Sequence, residues 1–202
     1  MLKLYYSPGA CALASHIALE EAGAAYETRK IDLRAGEQKT PEYLAVNPAG
    51  STPALETDHG VLTQNAAILP YVAQLHPQAG LAPTEPFAFA RFQAFNGYLA
   101  SSVHPALGRL LFGGLEGEAR EAAQTMALTK LQLVEDKLLE EPWVFGERYT
   151  ASDGYLAVFS RWARQARLLD PASFPKLNAH LDRVQARPAV QRVLEAEGIA
   201  AV

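Results

Sequence analysis

The character of the sequence changes at residues 77–86. Before this segment the chain consists of short strand-like runs separated by Pro and Gly turns, and after it nearly every apolar pattern has helical spacing. The segment itself contains Pro77, Gly80, Pro83 and Pro86, a composition typical of a connection between domains. The pattern therefore predicts a mixed α/β domain, a linker and an all-helical domain, with limits at residues 1–78, 79–86 and 87–202.

The first domain has the order of a βαβ unit followed by a hairpin and a helix. The turn between the last two strands contains Asp58 and Gly60, which suit a hairpin. Pro70 is expected to kink the final helix or to remove one of its backbone hydrogen bonds. Strands are predicted at residues 2–6, 26–32, 52–56 and 61–63, and helices from Leu13 towards Gly23 and over about residues 65–76.

The second domain is predicted to contain only helices. A run over residues 87–111 is expected to break at His104, because a residue that precedes proline avoids the helical region. A second run covers residues 118–140. Later helices are marked by their ends: a Thr150 cap paired with Asp153, prolines at Pro175 and Pro188 in first turns, and a stop at Gly198.

Composition excludes several classes of partner. The net charge is −4, with acidic and basic residues mixed along the chain, so no basic stripe is available for nucleic acid or an anionic membrane. The N-terminal residues have no basic segment followed by a long apolar core, and we expect a cytoplasmic protein. A single cysteine cannot form an intrachain disulfide or a cysteine-cluster zinc site. His16, His59, His76 and His180 are not grouped with the spacing of metal ligands, so no metal is expected.

Cys11 is the main candidate for chemistry. It follows Pro8, Gly9 and Ala10 at the point where the first strand turns into the first helix. Free amides and the positive end of the helix dipole at this position favour the thiolate form. An inert buried cysteine is the alternative interpretation.

Two further pairs of neighbouring residues could contribute to a binding site. A cis bond before Pro53 would turn the backbone of Thr52 outward to pair with an extended peptide, although an ordinary trans proline is the alternative. Gln64 and Asn65 begin a helix and could receive a carboxylate, or Asn65 could be a plain helix cap.

His104 lies inside a helical run, with Ser101 three residues before it on the same face. An imidazole there could exchange a proton with a bound thiol. A packed or solvent-facing histidine is the alternative.

Taken together, three separated motifs resemble the beta class of bacterial glutathione transferases. They are residues 6–11 (YSPGAC), residues 47–55 (NPAGSTPAL) and residues 150–153 (TASD), and the similarity extends over essentially the whole chain. The resemblance implies a thioredoxin-like N-terminal domain, an all-α C-terminal helical bundle and a homodimer. It also implies glutathione as co-substrate without a prosthetic group, and a small hydrophobic electrophile as the second substrate.

The resemblance also implies roles for individual residues. Cys11 matches the active-site cysteine and His104 the histidine from the helical domain. Thr52 matches the residue that pairs with the cysteinyl unit of glutathione, and Pro53 matches the cis proline. The remaining implied contacts are Gln64 and Asn65 at the γ-glutamyl end, Lys39 or neighbouring Gln38 near the glycyl carboxylate, and Tyr6 or Ser7 as alternative hydroxyl donors to the sulfur.

Other functions stay open at this point. A transferase-like dimer without catalysis could serve as a binding or regulatory module. A glutathione-dependent dehalogenase or isomerase dedicated to one pathway is a third possibility, because pocket residues on helical surfaces do not identify the substrate.

Overall fold

The computed structural model describes all 202 residues, and the first 75 of them form a four-stranded sheet with its helices. The strand order is β2-β1-β3-β4; β1 and β2 are parallel, and the other pairs are antiparallel. The elements are β1 (Leu2–Tyr6), α1 (Leu13–Glu21), β2 (Tyr26–Lys30), α2 (Pro41–Val46), β3 (Ala54–Thr57), β4 (Gly60–Thr63) and α3 (Asn65–Leu75).

The central strand β1 is buried on both faces of the sheet. Because side chains alternate along a strand, Leu4 and Tyr6 pack into the large core, whereas Tyr5 packs on the opposite face. There Tyr5 meets Ile31 and Tyr43, so α2 covers that face. Burial on both sides fixes the end of β1, from which the Cys11 loop departs.

The rest of the chain is helical. Short 3₁₀ turns occur at Glu37–Lys39 and Pro77–Ala79, and π-helical turns at Leu99–Val103 and Val134–Leu138. None of the helices combines the length and the apolar composition needed to cross a membrane. The α-helices are α4 (Pro86–Tyr98), α5 (His104–Phe112), α6 (Gly117–Leu133), α7 (Ala151–Gln165), α8 (Pro175–Gln185) and α9 (Pro188–Glu197).

This architecture confirms the expected fold class, a thioredoxin-like unit followed by an all-α unit. The order βαβ-ββα and the helix starts at Pro175 and Pro188 are as predicted, and α9 ends at Gly198 in a left-handed conformation. The Asp153 carboxylate accepts a hydrogen bond of 2.7 Å from the Thr150 amide at the start of α7. The domain limits at residues 78 and 87 stay a prediction; Leu81 between them is buried and accepts a hydrogen bond from Ala151.

The predicted break at His104 is wrong. The helix continues from α4 into α5 through the π-helical turn Leu99–Val103, and His104 has helical backbone angles. In this turn the His104 amide reaches back five residues to the Leu99 carbonyl. The wider turn accommodates Pro105, which has no amide to donate.

Two further features of the sheet unit also depend on prolines, and the first is a correction. The third strand begins at Ala54 instead of residue 52, because Pro53 cannot join the hydrogen-bond ladder. The α3 helix runs from Asn65 to Leu75 with Pro70 inside it, and Pro70, which has no amide, removes one of its backbone hydrogen bonds as predicted. Its continuity is explained by packing, since Ile68, Leu69 and Val72 are fully buried.

The two units share one core that is centred on α7. Every residue from Ala151 to Ala163 is buried, and α7 packs directly against α1. Arg187 adds a bidentate ion pair with Glu21, at 2.6 and 2.8 Å, between the helical unit and α1. The two halves therefore hold each other in a fixed relation around any site between them.

Candidate active site

A cavity of about 210 Å³ lies between the two units. One wall comes from the Cys11 loop, the turn before β3 and the start of α3, and the other from the π-helical turn, α5 and α7. It therefore brings residues that are far apart in sequence into one space. The lining residues are Cys11, Ser51, Thr52, Pro53, Gln64, Asn65, Ala100, His104 and Tyr155.

Cys11 lies in the turn that precedes α1. Its Sγ donates a hydrogen bond of 3.3 Å to the Thr52 carbonyl oxygen. Its own carbonyl accepts hydrogen bonds from Asn65 Nδ2 at 2.8 Å and from the Ala14 amide at 3.2 Å. The side chain and the backbone of Cys11 are thus both tied to the opposite edge of the cavity.

The expected thiolate at Cys11 is not what the structure supports. Burial raises the pKa of the Cys11 thiol to about 11, and its own backbone amide offsets only part of this effect. The α1 helix begins two residues later, at Leu13, and the amides of Leu13 and Ala14 already donate to Ala10 and Cys11 carbonyls. Cys11 is therefore a neutral thiol and a hydrogen-bond donor at neutral pH.

The turn before β3, at Ser51 and Thr52, is held in place by hydrogen bonds from the α2 region. Tyr43 Oη and Asn47 Nδ2 both donate to the Ser51 carbonyl, at 2.7 and 2.6 Å. The Thr52–Pro53 peptide bond is cis. The Thr52 carbonyl meets Cys11, whereas the Thr52 amide has no acceptor within the chain. One of the two backbone groups expected to face a peptide is therefore free.

Gln64 and Asn65 have different roles from those of a simple cap. Gln64, which precedes α3, has a positive φ of 68°, which is unusual for a residue with a side chain. Asn65 is the first helical residue, so it is not the cap. Its amide group is already used, since Nδ2 donates to the Cys11 carbonyl and Oδ1 accepts from Ser15 Oγ at 2.6 Å.

His104 faces the cavity from the helical unit. Its ring packs against Phe159 and Trp162, with centroids 5.3 and 5.4 Å away. Burial lowers the pKa of His104 below its usual 6.5, so the imidazole is neutral at pH 7 and can accept a proton.

Ser101 does not share the cavity-facing side of His104. It is exposed, and Ala100 lines the cavity in its place. The predicted spacing assumed an α-helix, whereas the π-helical turn Leu99–Val103 has more residues per turn. Residues four apart, instead of three, therefore lie on one face here.

Tyr155 is one of three lining residues that sequence reasoning missed, the others being Ser51 and Ala100. It is nearly fully buried, and burial, followed by the influence of nearby Cys11, raises the pKa of its phenol. The phenol therefore keeps its proton and can donate. Tyr155 shares a helical face with Phe159 and Trp162, and this spacing was the available signal.

Tyr6, Ser7 and Lys39 do not line the cavity. Tyr6 is buried with its ring 5.3 Å from His16, and the Ser7 carbonyl accepts from the Ala10 amide within the loop. Lys39 is exposed at the end of a 3₁₀ turn. Neighbouring Gln38 lies against Gly50, in the turn that leads to Thr52.

An aromatic wall extends from the cavity to the surface. We define it as His104, Phe159, Trp162 and Phe112. Trp162 stands edge-on to Phe112 at 5.5 Å, and the Phe112 side chain is 71% exposed. Such a surface suits a planar apolar group.

Comparison with known proteins gives consistent matches over the whole chain. The family model of the glutathione S-transferase N-terminal domain matches residues 1–74, and that of the C-terminal domain matches residues 65–188. The glutathione S-transferase GstA of Escherichia coli O157:H7 is 35% identical over 201 residues, which cover 98% of this chain and 100% of that protein.

Solved structures agree with this similarity. The bacterial beta class glutathione S-transferase of Sphingomonas chungbukensis has a TM-score of 0.88 at 38% identity, over 98% of this chain and 100% of that one. A sphingomonad glutathione S-transferase complexed with glutathione has a TM-score of 0.87 at the same identity and coverage.

The pKa of Cys11 leads to a testable pH dependence. Alkylation by iodoacetamide requires the thiolate, so the rate in the ligand-free protein should still be rising at about pH 10. Because Cys11 is the single cysteine, total label reports this site alone, and Cys11→Ser provides the blank. A rate that levels off below about pH 8 would contradict the raised pKa.

Proposed function

Because the chain belongs to the glutathione S-transferase family, we propose that it binds glutathione in the cavity beside Cys11 and joins its sulfur to small hydrophobic electrophiles. The observation that carries the proposal is the meeting of Cys11 and Thr52 with His104 and Tyr155 around one space. The first pair comes from the thioredoxin-like unit and the second from the helical unit, as a two-substrate reaction at their junction requires.

Glutathione is a peptide with two carboxylates and one thiol, and the cavity offers a match for each part. The unpaired Thr52 amide can donate to the cysteinyl unit. Gln64 and the free amides at the start of α3 suit the γ-glutamyl carboxylate. Lys39, on the segment that contacts Gly50, is the available cation for the glycyl carboxylate.

The enzyme must also ionise the glutathione thiol, whose unperturbed pKa is about 8.5. Neutral His104 can accept the proton, and its low pKa keeps it in the accepting form at pH 7. Cys11 and Tyr155 retain their own protons and can donate hydrogen bonds to the resulting thiolate. The hydroxyl donor in this proposal is therefore Tyr155, instead of Tyr6 or Ser7.

The electrophile is proposed to lie against the aromatic wall. Phe112 is the exposed end of this wall, and the buried Trp162 beside it donates to the Gly9 carbonyl in the loop that carries Cys11. A small aromatic or otherwise apolar electrophile would be held in line with the sulfur there.

Cys11 also permits thiol-disulfide exchange as a second activity. Its thiolate could attack the glutathione sulfur of a mixed disulfide between glutathione and another thiol, forming a Cys11–glutathione disulfide and releasing the other thiolate. A glutathione thiolate would then displace Cys11 and leave as glutathione disulfide. The position of the thiol in the cavity favours this activity, whereas its raised pKa slows it at neutral pH.

We propose that the protein acts as a homodimer. Met126 and Leu133 lie two turns apart on one face of α6 and are exposed, as is Phe87 on α4. Sedimentation as a monomer at micromolar concentration would contradict this proposal.

The function is tested by calorimetry with glutathione and by turnover of a generic aryl halide. We expect saturable binding and conjugation; binding without turnover would favour a non-catalytic module. Assays with dehalogenation and isomerisation substrates would identify an enzyme dedicated to one pathway.

Cys11→Ala should abolish disulfide reduction and weaken conjugation only in part, because His104 and Tyr155 stay in place.

His104→Ala should lower kcat by about 100-fold, because a proton acceptor is lost, and leave the KM for glutathione nearly unchanged. In the native enzyme, kcat/KM should decline only below pH 6.5, since the pKa of His104 lies below that value. His59→Ala, in an exposed turn, is the matched control. A change in KM alone would remove His104 from proton transfer.

Tyr155→Phe keeps the ring and removes the donor. We expect kcat/KM for glutathione to fall by about tenfold, because the thiolate loses one hydrogen bond. Tyr6→Phe serves as the competing variant. If the Tyr6 variant loses activity and the Tyr155 variant does not, the assignment of the hydroxyl donor is wrong.

A further inference from the structure

The backbone of Gly9, two residues before Cys11, is held from outside its own domain on both sides. Its amide donates to Glu197 Oε2 at 2.8 Å, and its carbonyl accepts from Trp162 Nε1 at 2.8 Å. Glu197 ends α9, and Trp162 lies on α7. No group of the sheet unit bonds to the Gly9 backbone.

Glu197 is a carboxylate with no access to solvent. A buried carboxylate is costly unless its oxygens are hydrogen-bonded. Its second oxygen, Oε1, lies 2.8 Å from His16 Nδ1 on α1, and the His16 side chain is itself buried. One side chain therefore joins α9, α1 and the Cys11 loop.

The loop is too tightly closed for Gly9 to move alone. The Ala10 amide donates to Ser7, and the Leu13 amide donates to Ala10, both at 3.0 Å. Gly9 has a φ of 68°, so its orientation is part of the turn. A displacement of Gly9 must therefore displace Cys11 from the Thr52 carbonyl.

We propose that Glu197 is a positioning residue for Cys11, which it holds in the cavity through the Gly9 amide. This inference rests on the proposed function only as regards the role of Cys11 towards glutathione. The alternative is that Glu197 merely attaches α9 to the sheet unit and has no effect on the loop.

The chain offers a control that separates these alternatives. Arg192, also on α9, donates to Glu20 on α1 at 2.6 Å, but this pair does not contact the loop. Arg192→Ala therefore loosens the same two helices without touching Gly9.

The experiment measures the rate of Cys11 alkylation by iodoacetamide at one pH, together with the melting temperature. Glu197→Ala and Glu197→Asp should raise the rate by about tenfold, because losing a hydrogen bond to a charged group shifts the loop equilibrium by about that factor. Glu197→Gln, which can still bond to both Gly9 and His16, should stay near the native rate. Arg192→Ala should not change it.

A lowered melting temperature with unchanged alkylation in the Ala and Asp variants would overturn the proposal. The proposal would also be overturned if Arg192→Ala raised the alkylation rate as much as Glu197→Ala does. The same holds if Glu197→Gln were alkylated as fast as Glu197→Ala. If Glu197→Ala does not fold, Glu197→Asp decides, since it shortens the side chain by only one methylene. In folded variants, kcat/KM for glutathione should fall in parallel with the rise in alkylation. Because alkylation needs no glutathione, its rate reports the position of the Cys11 loop even if the proposed function is wrong.

Discussion

The geometry of the site depends on how two neighbouring polar residues of α1 are satisfied in the core. Ser15 and His16 are both buried, and each requires a partner. Ser15 bonds to Asn65, which in turn bonds to the Cys11 carbonyl, and His16 bonds to Glu197, which bonds to Gly9. Ser15 thus links α1 to α3, and His16 links α1 to α9. The loop that carries Cys11 is fixed from both directions at once.

The burial that organises this network also sets the protonation of the cavity. It favours uncharged forms, so Cys11 and Tyr155 keep their protons and His104 stays neutral. The groups facing the ligand are then two donors and one acceptor without net charge. In the proposed reaction the negative charge on sulfur therefore comes from the substrate. No residue of the cavity has to be ionised beforehand, and the donors are already oriented when the charge appears.

The order of elements was predictable from sequence because it depends on local signals, such as the prolines that open α8 and α9 and the glycine that ends α9. The assignments of Tyr6, Ser101 and the Cys11 thiolate were not, because each depends on tertiary structure. Tyr6 packs on His16, Ser101 is turned outward by a π-helical turn, and the pKa of Cys11 follows from burial. Tyr155 reads as a core residue in sequence, and only the cavity between the domains distinguishes it from Phe159. The individual roles of the lining residues stay predictions until variants are measured.

The π-helical turn before His104 has a consequence for how the chain tolerates insertions and deletions. Such a turn holds one residue more than an α-helical path between the same ends would need. Removing one residue from Leu99–Val103 would therefore restore ordinary helical pitch while α4 and α5 keep nearly the same orientation about the axis. The His104 imidazole would still face the cavity, and the change would fall on the residues of the turn itself, among them Ala100. Relatives that are one residue shorter at this point should therefore keep the same side chain facing the sulfur.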